Sequence, residues 1–290
     1  MKILKYILSL FVVLSFASCE DVIQVKLDKG QPMVTVDAFI NDLRAKQTVR
    51  LTYTDDYFSQ KPNTAITGAS VVLKDLTSGQ TFTFTDSNNG NYIYDVVALN
   101  DTIGRVNHQY ELTVTHQGQV YTSKTVLNRT VPIDSVNVEF REAGSFGSKE
   151  GYYFSFFAQD APGPVPDFYW VKSYRNGVFF NKGSEINIAQ DAANGSGADG
   201  LFFIPPIAEG VTPFGEVFKK NDVCRIEINS ITQETYDFLL QVTNQTTNFG
   251  LFATTPENVK TNIVCTTSDK IKVVGWFSMS ATSFREKIAQ

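Results

Sequence analysis

The chain has 290 residues, 42% of them hydrophobic, with a formal net charge of −5 and a pI near 5.2. That apolar content supports real cores and, at this length, one large or two ordinary domains. The acidic balance argues against nucleic-acid binding, which needs clustered Lys and Arg to meet phosphates. Phe and Tyr are abundant, at 23 and 12, and with many Thr and Val they favour strands over helices.

Residues 1–18 read as a signal peptide. Met1, Lys2 and Lys5 give a positive start, and Ile7 to Phe16 are apolar apart from Ser9 and Ser15. The run is about half of the ~20 residues a spanning helix needs. Ala17 and Ser18 then place two small residues ahead of Cys19. This stretch resembles a bacterial lipoprotein signal, with Phe16 where Leu is usual. The resemblance implies cleavage before Cys19, a diacylglycerol on its sulfur and an acylated amine. Each buried methylene contributes ~0.8 kcal/mol, and more than one acyl chain makes such an anchor stable. Glu20 and Asp21 follow at once, resembling the surface-export signal of Bacteroidota lipoproteins. That implies an outer-membrane lipid anchor with the protein facing the cell exterior. Residues 19–31 form the lipidated tether.

Residues 32–130 are expected to form a β-sandwich. Met33 to Ile40 reads as a first strand, and Gln47 to Thr54 alternates with Val49, Leu51 and Tyr53 on one face. A polar loop from Asp55 to Ala65 carries Tyr57 and Phe58. Ala69 to Asp75 and Thr81 to Thr85 flank a turn at Thr77-Ser78-Gly79-Gln80, and Asn91 to Tyr94 follows a second turn at Asp86 to Gly90. Tyr110 to Thr115 and Val120 to Val126 make a hairpin around Gln117-Gly118. Short strands at this spacing, with turn chemistry between them, indicate a sandwich. The segment from Ile66 to Leu73, and Thr85-Asp86 leading through Gly90 to Tyr92, resemble immunoglobulin-like and transthyretin-like surface modules. Such modules hold, space or bind rather than catalyse.

Pro132 breaks a ladder and marks a boundary, so residues 131–290 are expected to form a second β-rich domain. Ile133 to Phe140, Tyr152 to Gln159, Phe168 to Tyr174 and Cys224 to Ile228 read as strands, and Asn176-Gly177 turns the third into Val178-Phe179-Phe180. Residues 182–200 read as a polar loop. One amphipathic helix is expected near 233–246, capped by Thr232, with Glu234 and Asp237 in its first turn. Its stripe is Tyr236, Leu239, Leu240 and Thr243. Val259 to Thr266 and Ile271 to Met279 close the chain as strands, and Arg285-Glu286-Lys287 reads as a charged tail.

Few motifs carry chemistry. Gly195-Ser196-Gly197-Ala198-Asp199-Gly200 has the dinucleotide spacing but lacks the preceding strand and following helix that such a site needs. Asp191, Asn194 and Asp199 offer oxygen donors for calcium in a spacing that is not an EF-hand; a solvated turn is the simpler reading of Asp191 to Gly200. His108 and His116 would lie ~26 Å apart on one continuous strand. Neither a Gly-x-Ser-x-Gly elbow nor His-Glu-x-x-His is present. Asp55-Asp56 is the adjacent aspartate pair that a carboxylate-based hydrolase would draw on. No catalytic residue, cofactor or metal ligand is assigned. With Cys19 lipidated, Cys224 and Cys265 form either one disulfide or two buried thiols. Asp101-Thr102-Ile103 and Asp134-Ser135-Val136 resemble the Bacteroidota O-glycosylation pattern, which makes Thr102 and Ser135 candidate acceptors.

The lipoprotein signal, the early Met33 to Val36 strand and the immunoglobulin-like module coincide with a distinctive C-terminal third. That third runs through Ser230 to Leu239, Phe252 to Ile263 and Val274-Gly275-Trp276-Phe277-Ser278. Together they resemble an uncharacterised Bacteroidota surface-lipoprotein family with a domain of unknown function, encoded beside TonB-dependent outer-membrane receptors. Trp276 stands where that family often has Tyr or Phe, and the two cysteines are not part of its pattern. The resemblance implies a non-catalytic accessory or ligand-binding partner of a nutrient-uptake receptor. A surface-anchored hydrolase and an adhesin or structural surface protein are the alternatives. Tyr57, Phe58 and Phe214 are the candidate partner contacts, because interface hot spots favour aromatics.

Overall fold

Strand β1 (Val34–Asn41) begins the ordered fold and alternates buried and less buried positions. The computed structural model describes residues 30–56, 59, 61–144, 149–163, 166–190, 203, 207–248, 255 and 257–290. Cys19, Tyr57, Phe58 and the stretch from Asp191 to Gly200 lie outside these. After β1 come β2 (Lys46–Tyr53), β3 (Ser70–Asp75), β4 (Thr81–Asp86), β5 (Asn91–Asp95), β6 (Gln109–His116) and β7 (Gln119–Val126). Each is half-buried in alternation, so one face of every strand enters a shared core. Val49, Leu51, Phe82, Phe84, Tyr92 and Tyr110 are among its members. The β6–β7 hairpin turns at Gln117 and Gly118, with φ of 47° and 76°, the paired positive values of the turn that matches strand twist. β4 pairs with β3 through Val71↔Phe84 to Lys74↔Thr81. Its far end pairs with β5, so the sheet folds over at this strand.

Next come β8 (Ser135–Arg141), β9 (Gly151–Phe157), β10 (Phe168–Arg175), β11 (Val178–Phe179), β12 (Asn187–Gln190) and β13 (Val223–Ile231). Helix α1 (Gln233–Thr246) follows, then β14 (Val264–Cys265), β15 (Val273–Ser280) and β16 (Thr282–Ile288). The protein is mainly β with this one α-helix among the described residues. β10 and β13 pair over eight positions, and β16 extends their sheet beside β13. The β8–β9 hairpin covers one face of this sheet. Phe154, Phe156, Tyr169, Ile226 and Ile228 form the core between them.

Four sequence expectations change. First, the division at residue 131 is crossed by the chain: β15 pairs in parallel with β1 over Val34↔Val273 to Asn41↔Ser280, and β14 pairs with β7. Both complete the nine-strand order β14-β7-β6-β3-β4-β5-β2-β1-β15. Parallel pairing needs a crossover and leaves no local turn signal. Second, Arg285-Glu286-Lys287 belongs to β16. An edge strand has one ladder neighbour, so it tolerates an exposed charged run. Its cations also bond backward: Arg285 Nε donates to the Ile133 carbonyl at 2.5 Å and Lys287 Nζ to that of Val136 at 2.8 Å. Third, the expected loop from 182 holds a 3-10 turn at Gly183–Glu185 and strand β12. Fourth, Leu240 is exposed, and Thr235 and Leu239 are the helix's buried residues. The stripe is rotated because α1 packs against two surfaces. The two meet under the helix, where Phe39 of β1 and Trp170 of β10 are in edge-to-face contact with ring centroids 5.2 Å apart.

The Cys224–Cys265 bond is not formed. Both thiols are free and buried, and they sit in different cores, which rules out the short Cα separation a disulfide requires.

Candidate functional site

β8 and β9 carry Arg141 and Tyr153 toward a groove of about 430 Å³, open to solvent, whose far wall is the turn Pro213-Phe214-Gly215. The turn closes through a hydrogen bond from Glu216 N to the Pro213 carbonyl at 3.1 Å, with Gly215 at φ +80°. Gly at the third position supplies the left-handed conformation such a turn requires. Lys149 Nζ donates to the Gly215 carbonyl at 2.7 Å and fixes the turn to the base of β9. Tyr153 Oη donates to the Lys149 carbonyl at 2.8 Å, which fastens the same lysine from its other end. The side chain of Phe214 stands at the tip, 89% exposed. Of the three aromatics expected to contact a partner, Phe214 is the one within the described residues, and it is exposed.

The groove's polar lining carries both signs. Arg141 holds its guanidinium 4.9 Å from the Tyr153 ring centroid and bonds Glu139 at 2.9 Å. Glu185 accepts from Lys182 N at 2.8 Å and pairs with its ammonium at 3.3 Å. Glu209 is exposed at the rim. Thr212 Oγ1 accepts from Phe154 N at 2.8 Å, tying the 212–215 segment to β9.

A second polar constellation lies on the sheet face of β10 and β13. Lys172 sits opposite Glu227, with its ammonium 4.1 Å from the Trp170 ring centroid. Glu227 accepts from Tyr174 Oη at 3.0 Å and from Arg225 Nε at 2.8 Å. Burial lowers the Lys172 ammonium to about 8, against the opposing pull of Glu227 and Asp37. Burial likewise raises the Asp37 carboxyl, against Arg50 and Lys172. The ammonium keeps its charge near neutral pH, and the Glu227 carboxylate is already engaged, so this cluster serves the seam between the sheets. Lys172 and Glu227 were not singled out in the sequence, because in an alternating strand they look like ordinary solvent-facing residues.

The histidines take separate partners. His108 Nδ1 lies 2.7 Å from Asp75 Oδ2, and His116 Nε2 lies 2.9 Å from Tyr53 Oη. His108 precedes β6 and His116 is its last residue, so they lie at opposite ends of the strand and share no site. Asp55 accepts from Asp56 N at 2.8 Å and Ser59 Oγ at 2.5 Å, a loop-capping role. Among the described residues no three His, Cys, Asp or Glu side chains converge on a metal position. Thr102 and Ser135 are both exposed. Thr102 follows Asp101, whose carboxylate accepts from Tyr94 Oη and from Thr102 N.

The model of one protein family, described as a domain of unknown function (DUF4249), matches residues 20–286. No curated protein matches the chain.

Proposed function

The chain belongs to the DUF4249 family, and we propose that it is a lipid-anchored, non-catalytic accessory protein of a TonB-dependent nutrient-uptake receptor at the outer-membrane surface. The observation that carries this reading is the groove whose outermost residue is a pinned, exposed phenylalanine. An aromatic ring held at the rim of a groove offers a bound ligand or partner a fixed contact, and interface hot spots favour aromatics.

The chain path supports the same reading. The fold begins beside Tyr53, His116 and Gln119, which line one pocket with Pro32. From that end β1, β7 and β15 run to the opposite end, where Asp42 N bonds the Ser280 carbonyl. Both crossings into the second sheet, after β7 and after β15, leave from there. Eight-residue strands separate the two ends by ~26 Å. Within the fold, the second sheet therefore leaves from the end away from Pro32. Tethering also raises the effective concentration of membrane neighbours, to the millimolar range for a short linker, so a modest interface suffices.

Affinity purification of the tagged, lipidated protein from detergent-solubilised outer membranes tests the proposal. A large β-barrel receptor is expected to co-purify. Recovery of the protein alone, under conditions that keep receptor–lipoprotein complexes together, would overturn it. The anchor is checked in parallel with Cys19→Ala, which is expected to leave the membrane fraction or remain unprocessed.

A further inference from the structure

We propose that the groove around Phe214 binds a neutral, polyhydroxylated chain, that is, a segment of glycan. This rests on the proposed role beside a nutrient-uptake receptor and names the chemistry of the nutrient that the groove would hold.

The first argument is the aromatic platform. Tyr153 already has one ring face occupied by the Arg141 guanidinium. Phe214, at 89% exposure, offers an open ring. The turn that holds it is fixed by Glu216 N to Pro213 O and by Lys149 Nζ to Gly215 O, so the ring is kept out of the protein's own core. Burying such a side chain is favourable, and a ligand that covers it can recover that free energy. The negative face of an aromatic ring attracts weakly positive C–H groups, which a pyranose presents on its flat side.

The second argument is charge balance. Arg141, Lys149, Glu185 and Glu209 all line the groove. Arg141 and Glu185 have ionic partners of their own in Glu139 and Lys182, and Lys149 is committed to a carbonyl. An anion would meet two carboxylates, and a cation two basic groups. A sugar hydroxyl donates and accepts at once and can use a lining of both kinds.

The third argument excludes strand addition by a peptide, which needs free main-chain donors and acceptors along an edge. Along the edge of β9 facing the 207–218 segment the amide donors are already taken. Tyr152 and Phe218 exchange bonds at 2.9 and 3.2 Å, Phe156 N reaches the Ala208 carbonyl at 3.0 Å, and Phe154 N is taken by Thr212. The volume, about 430 Å³, lies within the range of small-ligand sites, ~300–1,000 Å³.

The test is affinity electrophoresis of the detergent-solubilised, lipidated protein in native gels containing starch, dextran, mannan, galactomannan or xyloglucan. At least one of these neutral polysaccharides is expected to retard it. Phe214→Ala, at an exposed turn tip, should weaken the retardation at least tenfold. Leu99→Ala, an exposed apolar residue of the sandwich, should leave it unchanged. Retardation by none of the five, equal retardation of Phe214→Ala, or retardation by polygalacturonate only would overturn the proposal. Receptor co-purification is read separately, so receptor recovery without polysaccharide binding overturns the ligand class alone.

Discussion

Trp276 stacks on Phe238, with ring centroids 4.4 Å apart and planes inclined by 17°. The indole Nε1 donates to Thr235 Oγ1 at 3.0 Å in the same contact. One side chain of β15 thus holds the first turns of α1 against the nine-strand sheet. The helix meets β10 on its other side, so the pair fastens the two sheets together. Trp276→Phe keeps a stacking ring and loses the donor, and should cost about 1 kcal/mol. Trp276→Ala should cost about 3–5 kcal/mol through the cavity. Urea unfolding checks both. Equal effects of the two variants would show that stacking contributes nothing.

Gly275 pairs with Val36 in the parallel ladder, at φ +108°, where a Cβ would lie 1.9 Å from the Val36 carbonyl oxygen. The obstacle is backbone, so no rotamer relieves it. Gly275→Ala should therefore destabilise by at least ~2 kcal/mol, combining the strained conformation with a displaced strand. Thermal unfolding and limited proteolysis of the β14–β16 segment measure it. A melting temperature within a degree of the parent would reject the close approach.

Asp75 is 2% exposed. Burial alone would raise its carboxyl, but the hydrogen bonds from His108 and from Ser78 and Thr77 outweigh it and hold the group at about 2. A carboxyl depressed in the folded state contributes stability that is complete above the unfolded value near 3.8 and is lost as pH falls toward 2. The contribution is ~2 kcal/mol at neutral pH. Asp75→Asn should be the less stable protein at pH 6, and the gap should narrow by about that amount between pH 4 and pH 2. Denaturant midpoints across this window decide it; a constant gap would contradict the assignment.

The two cysteines should react in order. Cys224 is fully buried, and burial pushes its thiol up to about 12. Cys265 is 9% exposed on the short strand β14. There hydrogen bonds from Thr267 and nearby backbone outweigh burial and lower its thiol. A thiol-specific disulfide reagent should label Cys265 in the native protein and Cys224 only on unfolding, since thiolate fraction and access set the rate. Equal rates would contradict the burial difference.

The local code of this chain was readable without coordinates. Alternation in Val49 and Leu51, and in Phe82 and Phe84, placed one face of each of these strands in a core. Gln117-Gly118 and Asn176-Gly177 marked hairpin turns, and both adopt the paired positive φ values that such turns require. Thr232 marked the helix start, and its hydroxyl accepts from Thr235 N at 3.2 Å. These features depend on neighbours a few positions away, so composition and spacing report them.

Tertiary structure decided the rest. The pairing of Val36 with Gly275 joins residues more than two hundred positions apart, and no periodicity at either end encodes the partner. The strand through Arg285 and Lys287 exists because β13 and the carbonyls of Ile133 and Val136 receive it; alone it is a charged run. Leu240 faces water because the joint cluster of Phe39, Phe168 and Trp170 receives Tyr236, Phe238 and Leu239 instead. The groove belongs to the same class. The turn chemistry of Pro213-Phe214-Gly215 is local, but Arg141, Tyr153, Glu185 and Phe214 meet because three distant segments pack together. Local propensity fixes which residues can form a strand or turn. Burial and hydrogen-bond satisfaction across the whole chain select which of those elements become neighbours.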